Sequence, residues 1–166
     1  MKSRPVQGWA QRKRIDFFRQ HLEHPGQILE IGSGSGWVKS ALLGIGISSY
    51  TGIDLFPPAD IVGDINSWQE LGLNAESFDT IIAFEVVEHV DCFRACYDLL
   101  KAGGKMLITT PVPETDWILK ITESFGLNQK RTSPHDHLVN LNHVPIFPGK
   151  EITIIFSLGQ WAVFTK

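Results

Sequence analysis

Short apolar runs alternate with segments of helical spacing along much of the chain. Runs bounded by glycine, proline or polar residues predict β-strands at 27–31, 50–55, 78–84 and 105–110. Apolar residues at helical spacing predict α-helices before and between these strands, over 9–23, 37–44 and 87–100. This alternation indicates an α/β fold with a single doubly wound, mainly parallel sheet and helices on both faces.

The pattern weakens toward the C-terminus. Residues 126–149 are rich in proline and histidine and predict a loop. Two signals conflict over 149–158, because the β-branched residues there favour a strand, whereas an α/β alternation expects a helix before the final strand. Following the alternation, the sequence predicts a helix over 149–158 and a strand from Gln160 to Thr165.

A glycine-rich turn follows the first strand. Residues 28–36 read ILEIGSGSG, with glycines at 32, 34 and 36. Glycine lets the backbone approach a ligand where a Cβ atom would clash, and free N–H groups at the start of the next helix point into the same crevice. The motif therefore predicts a nucleotide-type pocket. A nicotinamide-dependent oxidoreductase is a poor fit, because its fingerprint is G-x-G-x-x-G and this chain has G-x-G-x-G.

Two aspartates follow the glycine turn at spacings that suit an adenosine ligand. Asp54 ends the second strand, where a carboxylate can accept hydrogen bonds from both hydroxyls of a ribose. Asp64 precedes Ile65, and an aspartate beside a backbone N–H can bind the edge of an adenine. Either aspartate alone fits a surface turn equally well, so it is their order after the glycines that indicates adenosine.

The segments ILEIGSGSG, GIDLF, GDI, FDTIIAFEVVEHV and LLKAGGKMLITTP together resemble class I S-adenosylmethionine (SAM)-dependent methyltransferases, most of all the group of ubiquinone-type O-methyltransferases. The resemblance covers residues 27–113. It implies SAM as the cofactor and assigns each part of SAM a set of residues. The methionine part falls to Glu30, Gly32, Ser33, Gly34 and Gly36, the ribose and adenine to Asp54, Leu55, Asp64 and Ile65, and the vicinity of the methyl group to Phe84 and Glu85.

The segment Glu85-Val-Val-Glu-His89 is a candidate for the catalytic chemistry. On a helix beginning near residue 85, Glu85, Glu88 and His89 would share one face, where they could bind Mg²⁺ or Mn²⁺. Similar faces in related metal-dependent enzymes are completed by a later histidine, here His135 or His137. Without a metal, His89, His135 or His137 could act as general base. Glu88 could simply be an acid in the first helical turn, where the helix dipole favours it.

Composition narrows the choice of partners. The chain has 166 residues and a net charge of −3, so no overall field attracts nucleic acid or a membrane. It has no apolar run long enough for a membrane span and no apolar leader, so we expect a cytoplasmic protein. A small-molecule acceptor is the expected partner, and nucleic acid is not.

The resemblance also implies a domain plan. We expect one domain over 1–166, with an N-terminal helix or lid in 1–26, the SAM-binding half in 27–113 and the acceptor side in 114–166. Class I members usually end with two further strands, the last antiparallel and inserted in the sheet. Because few residues follow Gly149, we expect a fold trimmed there or completed by a homodimer.

The expected activity is transfer of the SAM methyl group to an O, N or C nucleophile of a small-molecule or sugar-type acceptor. Two alternatives remain at this level. One is a non-catalytic methyltransferase-like protein that binds SAM as a subunit or sensor. The other is a methyltransferase that acts on RNA or protein.

Overall fold

The computed structural model describes residues 5–113 and 139–166 and contains three α-helices and seven β-strands within them. The helices are α1 (Pro5–Phe18), α2 (Trp37–Gly44) and α3 (Phe93–Leu99). The strands are β1 (Ile28–Ile31), β2 (Tyr50–Asp54), β3 (Ile61–Val62), β4 (Phe78–Phe84), β5 (Leu100–Pro111), β6 (Gly149–Ile155) and β7 (Gly159–Thr165).

All seven strands form one sheet in the order β3-β2-β1-β4-β5-β7-β6. The first five pair in parallel, whereas β7 is antiparallel to both β5 and β6. Strand order reverses at β1, which pairs with β2 on one side and β4 on the other. In such sheets a ligand binds at the carboxyl ends of the strands beside this reversal.

Apolar side chains cover both faces of the sheet. Helices α1 and α2 bury Phe18, Val38 and Leu42 against one face, and none of the three is exposed at all. On the other face, α3 buries Leu99 together with Phe147. Each such side chain contributes about 1.5–3 kcal/mol on burial. The doubly wound α/β architecture predicted from the alternation of elements is therefore confirmed.

The helix predicted over 87–100 is much shorter than expected. Only Phe93–Leu99 is helical. Glu85 adopts a left-handed conformation, with φ 58°, so the chain leaves β4 in a turn and cannot continue directly into a right-handed helix. Gly103 and Gly104, which follow the predicted helix, belong to β5, where the register with β4 shifts between Leu100 and Lys105.

The C-terminal helix predicted over 149–158 is wrong. This segment forms β6, and the tight turn that follows places Phe156 and Ser157 at φ 51° and 58°. The strand propensity of its β-branched residues is satisfied by pairing with β7 in a hairpin. The predicted final strand is confirmed as β7, which is antiparallel and inserted between β5 and β6. Both last strands come from the chain itself, and a homodimer stays a prediction.

A search of the described residues for a helix long and apolar enough to cross a membrane finds none.

Candidate functional site

A cleft of about 620 Å³ lies at the carboxyl ends of β1, β2 and β4, beside the reversal in strand order. Most of the site residues predicted from the sequence line it. These are Gly32, Asp54, Leu55, Asp64, Ile65, Phe84, Glu85 and His89. Its charged lining residues are all acidic, and no lysine or arginine from the described part of the chain is among them. The cleft therefore suits a ligand with positive charge better than one with phosphates.

The glycine turn has the conformation that requires glycine. Gly32, Gly34 and Gly36 have φ of 72°, 45° and 71°, in the left-handed region. A Cβ atom on Gly32 would also lie 2.5 Å from Cγ2 of Val86, which lines the opposite wall. Gly36 is the N-cap of α2. The turn is thus a cradle that any side chain at position 32 would fill.

Asp54 connects the glycine turn to the second strand. Its Oδ2 accepts a hydrogen bond from the Gly34 amide at 2.9 Å, and its Oδ1 accepts one from the Phe56 amide at 3.1 Å. These bonds fix the carboxylate at the cleft wall, where each oxygen retains a lone pair for a ligand hydroxyl. A carboxylate held in this way can accept hydrogen bonds from the two hydroxyls of a ribose.

The part of the cleft around Asp64, where the sequence predicts the adenine, combines one polar edge with exposed apolar side chains. Asp64 caps a short 3₁₀ helix (Ile65–Ser67), and its Oδ1 accepts the Asn66 amide at 2.9 Å. Leu55 and Phe56 are 60% and 72% exposed although both are large and apolar. Exposed apolar side chains in a cleft offer a flat ring a surface to pack on. Phe56 lines the cleft beside Leu55.

Glu30 lies next to the glycine turn and Ser33 belongs to it, but neither residue lines the cleft. Glu30 is 2% exposed, and its carboxyl accepts a short hydrogen bond from the Tyr50 hydroxyl. Burial, with a smaller effect from Asp54, raises the pKa of Glu30 to about 8, although the Tyr50 bond opposes the rise. Ser33 is 5% exposed. Glu30 lies beneath the turn, so its effect on a ligand would pass through the backbone of the turn.

At the other end of the cleft, Glu85 is held by residues far away in sequence. Its Oε1 accepts one bond from the Arg14 guanidinium of α1 at 2.9 Å and another from the Thr109 hydroxyl of β5 at 2.8 Å. Its backbone amide donates to the Thr109 carbonyl, also at 2.8 Å. Phe84, the preceding residue, stacks its ring on Phe18 at 5.3 Å. Helix α1 and strand β5 together therefore fix the end of β4.

Glu88 is buried behind Glu85. It is 1% exposed, and its Oε2 accepts a bond from the Thr110 hydroxyl at 3.0 Å. Burial first, and then the Glu85 charge, raise the pKa of Glu88 to about 8. The side chain is therefore largely protonated at neutral pH, in contrast to the partly exposed Glu85, which is ion-paired to Arg14.

The metal-binding face predicted from a helix at 85–89 is not formed. The chain turns there, so Glu85 and Glu88 bond to different threonines and His89 is exposed. In the described ranges, no three histidine, cysteine or carboxylate side chains come together as a group that could hold a metal ion. His135 and His137, predicted as a further ligand and as a general base, lie outside the described residues.

The sequence did not reveal the partners that hold the acidic residues. Arg14 was one of several basic residues in an N-terminal stretch, and no local pattern links it to Glu85. No local pattern links Tyr50 to Glu30 or Thr109 to Glu85 either, because these contacts depend on strand pairing. The only available signal for Tyr50 was its place at the start of the strand that neighbours Glu30.

A doubly wound sheet with a glycine turn, a ribose-type carboxylate and an adenine-type edge at one cleft is the architecture of the SAM-dependent methyltransferases. A model of the methyltransferase domain family matches residues 7–162, and the chain belongs to this family. A crystal structure of a SAM-dependent methyltransferase from Archaeoglobus fulgidus superposes with a TM-score of 0.67, 15% identity and coverage of 96% of this chain and 94% of that chain. At this identity the superposition shows the fold.

Curated relatives share more sequence over a shorter stretch. Ubiquinone biosynthesis O-methyltransferase of Xanthomonas euvesicatoria is 31% identical over 117 residues, covering 58% of this chain and 48% of that protein. The tRNA U34 carboxymethyltransferase of Pseudomonas paraeruginosa is 30% identical over 115 residues, covering 58% of this chain and 36% of that protein. The chain thus spans half or less of the length of these relatives.

Proposed function

We propose that this domain transfers the methyl group of SAM to a hydroxyl oxygen of a small acceptor molecule. The observation that carries the proposal is the single cleft that joins the Gly32 cradle, the Asp54 carboxylate and Glu85 in an acid-lined wall. SAM carries a sulfonium cation, and this charge matches the wall. The choice of oxygen as the methylated atom is supported by the O-methyltransferase relative.

The residues of the cleft would divide the work between its two ends. Asp54 would bind the ribose hydroxyls, Asp64 and Ile65 the adenine edge, and the turn 32–36 the methionine part. SAM supplies an activated methyl group, so the protein contributes mainly alignment and exclusion of water. At the far end, both side-chain donors to Glu85 in the described chain reach Oε1, so Oε2 can accept a hydrogen bond from the acceptor hydroxyl.

His89 is the proposed general base. It is exposed and lines the cleft next to Glu85 and Val86. An imidazole can take the hydroxyl proton as the O–CH₃ bond forms and S-adenosylhomocysteine (SAH) leaves. A His89→Ala variant should leave SAM affinity nearly intact and reduce turnover about a hundredfold. Loss of SAM binding in this variant would contradict the role assigned to His89.

The first test of the proposal is calorimetric titration of the purified protein with SAM, SAH and ATP. We expect micromolar binding of SAM and SAH. We expect no binding of ATP, because its phosphates would face carboxylates. Absence of binding to both SAM and SAH would contradict the proposal, and equal binding of ATP would contradict the argument from charge.

The second test is transfer of a labelled methyl group from SAM to probe acceptors. A catechol, a primary amine and a carboxylic acid of similar size distinguish the methylated atom, and labelling of the catechol alone is expected. The reaction is run with and without EDTA, which tests the Mg²⁺ or Mn²⁺ suggested by the sequence independently of the residues that might bind it. A loss of turnover with EDTA that Mn²⁺ restores would require a ligand set beyond the described residues.

An RNA acceptor is the second candidate, favoured by the tRNA-modifying relative. The net charge of −3 argues against it, because phosphate contacts require clustered lysine or arginine. Retention of the protein on tRNA that weakens steeply with added salt would support this candidate over a small molecule.

A further inference from the structure

The buried Glu30 and the half-buried Tyr50 form a pair on neighbouring strands, directly beneath the glycine turn. Strands β1 and β2 pair in parallel, with Ile28 beside Tyr50 and Glu30 beside Gly52. Alternate residues of a strand share a face, so Tyr50 lies on the face that carries Glu30. The Tyr50 hydroxyl donates its hydrogen bond to Oε2 of Glu30. No part of the proposed reaction uses this pair directly.

Because Gly52 has no side chain, the Tyr50 hydroxyl and Ser33 of the turn can approach each other above it. A Cβ atom on Gly52 would lie 2.7 Å from the Tyr50 hydroxyl and 2.8 Å from Cβ of Ser33. The Ser33 hydroxyl would be 3.1 Å from the same point. Ser33 belongs to the turn, and its buried hydroxyl has no hydrogen-bond partner in the described chain. The Tyr50 ring therefore supports the turn from below, against a position that tolerates no side chain.

We propose that Tyr50 is a positioning residue, whose hydroxyl holds the Glu30 carboxyl under Ser33 and so fixes the turn 32–36 for the methionine end of SAM. The inference rests on the proposed function, because it assigns the turn to that end of the ligand. It adds a residue on β2 that touches neither SAM nor the acceptor.

Lys39 and Asp60 pack beside Tyr50, which is half-buried and lines a surface pocket with them. The Lys39 ammonium lies over the Tyr50 ring at 5.4 Å and binds Oδ1 of Asp60 at 2.6 Å. Oδ2 of Asp60 accepts the Gly52 amide at 2.9 Å. Burial first, then the Glu30 carboxyl, raise the pKa of Tyr50 above its usual range. The phenol thus remains a hydrogen-bond donor at any pH at which the protein is studied.

The test compares Tyr50→Phe with Tyr97→Phe, which removes the only other tyrosine hydroxyl of the chain. Tyr97 packs against Phe147 on the opposite face of the sheet. Calorimetry measures the affinity of each variant for SAH and for adenosine, which lacks the methionine part. For Tyr50→Phe we expect about tenfold weaker SAH binding, the cost of one buried hydrogen bond.

In Tyr50→Phe, adenosine affinity should change by less than about twofold. Asp54 still accepts the amide of Phe56, which lies outside the turn, so its carboxylate stays in place. The Tyr97→Phe variant should bind both ligands like the wild type. Equal weakening of SAH and adenosine in Tyr50→Phe would show a general structural effect and overturn the proposal. Unchanged SAH binding would overturn it as well.

A double-mutant cycle with Glu30→Gln tests whether Tyr50 acts through Glu30. If it does, the double variant binds SAH no more weakly than the weaker single variant. If the two losses multiply, the residues act independently and the proposal is wrong. Ligand binding by the wild type distinguishes failure of the proposed function from failure of this inference. A wild type that binds neither SAM nor SAH overturns the proposed function and this inference together, whereas a wild type that binds SAH like Tyr50→Phe overturns the inference alone.

Discussion

The two ends of the cleft are constructed in different ways. At the adenosine end, Asp54 and Asp64 each accept an amide from two residues further along the chain. At the methyl end, Glu85 is fixed by Arg14, which is 71 residues away, and by Thr109, which is 24 residues away. The proposed adenosine end is made mainly by local backbone turns, with one further bond from the Gly34 amide to Asp54. The other end is made by side chains that meet only when α1 and β5 have packed against β4.

This difference explains which end has a sequence signature. A carboxylate that accepts a nearby amide needs only the right residue in a short turn, so its spacing is visible in the sequence. A carboxylate held by remote donors imposes no spacing. The methyl end should accordingly depend on tertiary packing, and the adenosine end should be less sensitive to it. The following substitutions test this contrast, from the largest expected effect to the smallest.

Gly32→Ala should damage both ends, because Gly32 lies against Val86, which also lines the cleft. The added Cβ atom meets Val86 Cγ2 at 2.5 Å and requires a left-handed conformation. We expect a loss of roughly 3–5 kcal/mol in unfolding free energy and loss of SAM binding. Gly46→Ala is the control, because Gly46 has φ 85° but nothing within 4 Å. It should cost about 1–2 kcal/mol and leave binding intact. Equal losses of unfolding free energy and of SAM binding in the two variants would show that backbone strain, and not the contact with Val86, causes the effect of Gly32→Ala.

Glu88→Gln should change how stability depends on pH. The carboxyl pKa rises from 4.5 to about 8 on folding, so the folded state binds the proton more tightly. Wild-type stability must then fall as pH increases between these values and level off above them. The amide cannot titrate. Between pH 5 and pH 8 the free energy of unfolding of the variant should therefore fall by roughly 2–3 kcal/mol less than that of the wild type.

Chemical denaturation at several pH values measures this difference. Glu70→Gln, at an exposed position, is the control and should follow the wild type. Parallel profiles for wild type and Glu88→Gln would mean that Glu88 is ionised at neutral pH. The predicted metal role of this carboxylate would then regain support.

Asp54→Ala should weaken SAM and adenosine binding equally, by about 30-fold, because the ribose loses its acceptor and the Gly34 amide its partner. Calorimetry with both ligands provides the measurement. Asp79→Ala is the matched control, since Asp79 accepts the Gln27 amide at 2.8 Å outside the cleft. It should lower stability without changing affinity. A larger loss for SAM than for adenosine would place Asp54 near the methionine part instead.

Arg14→Leu should have the smallest effect and leave adenosine affinity unchanged. The Arg14 and Glu85 side chains are 21% and 39% exposed, so solvent screens the pair and its loss costs about 1 kcal/mol of unfolding free energy. Arg19→Leu, at the residue that follows α1, breaks a pair that is 63% and 56% exposed and should cost close to nothing. If Arg14→Leu weakens adenosine binding, the two ends of the cleft are not independent.

Much of the parallel half of the fold could be predicted from the sequence, because each strand there is an apolar run with its own boundary. Phe78–Phe84 and Trp37–Gly44 match the predicted ranges. Prediction from the sequence failed where the local secondary-structure preference of a segment differs from the structure that tertiary packing imposes on it. The left-handed Glu85 interrupts a segment of good helical spacing, and pairing with β7 makes a strand of 149–155. The buried state of Glu30 could not be predicted either, because it depends on Tyr50 and Gly52 of the neighbouring strand.

The place of β7 in the sheet has a consequence for protein synthesis. This strand leaves the ribosome after the other six described strands, yet it lies inside the sheet, between β5 and β6. Among the described strands, β6 pairs only with β7, so it can join the sheet only after β7 has been made. The side chain of Gln160 on β7 then bonds the Pro111 and Val139 carbonyls at 3.0 and 2.8 Å. The adenosine end can therefore assemble on a nascent chain, whereas the acceptor side closes only after translation has passed Thr165.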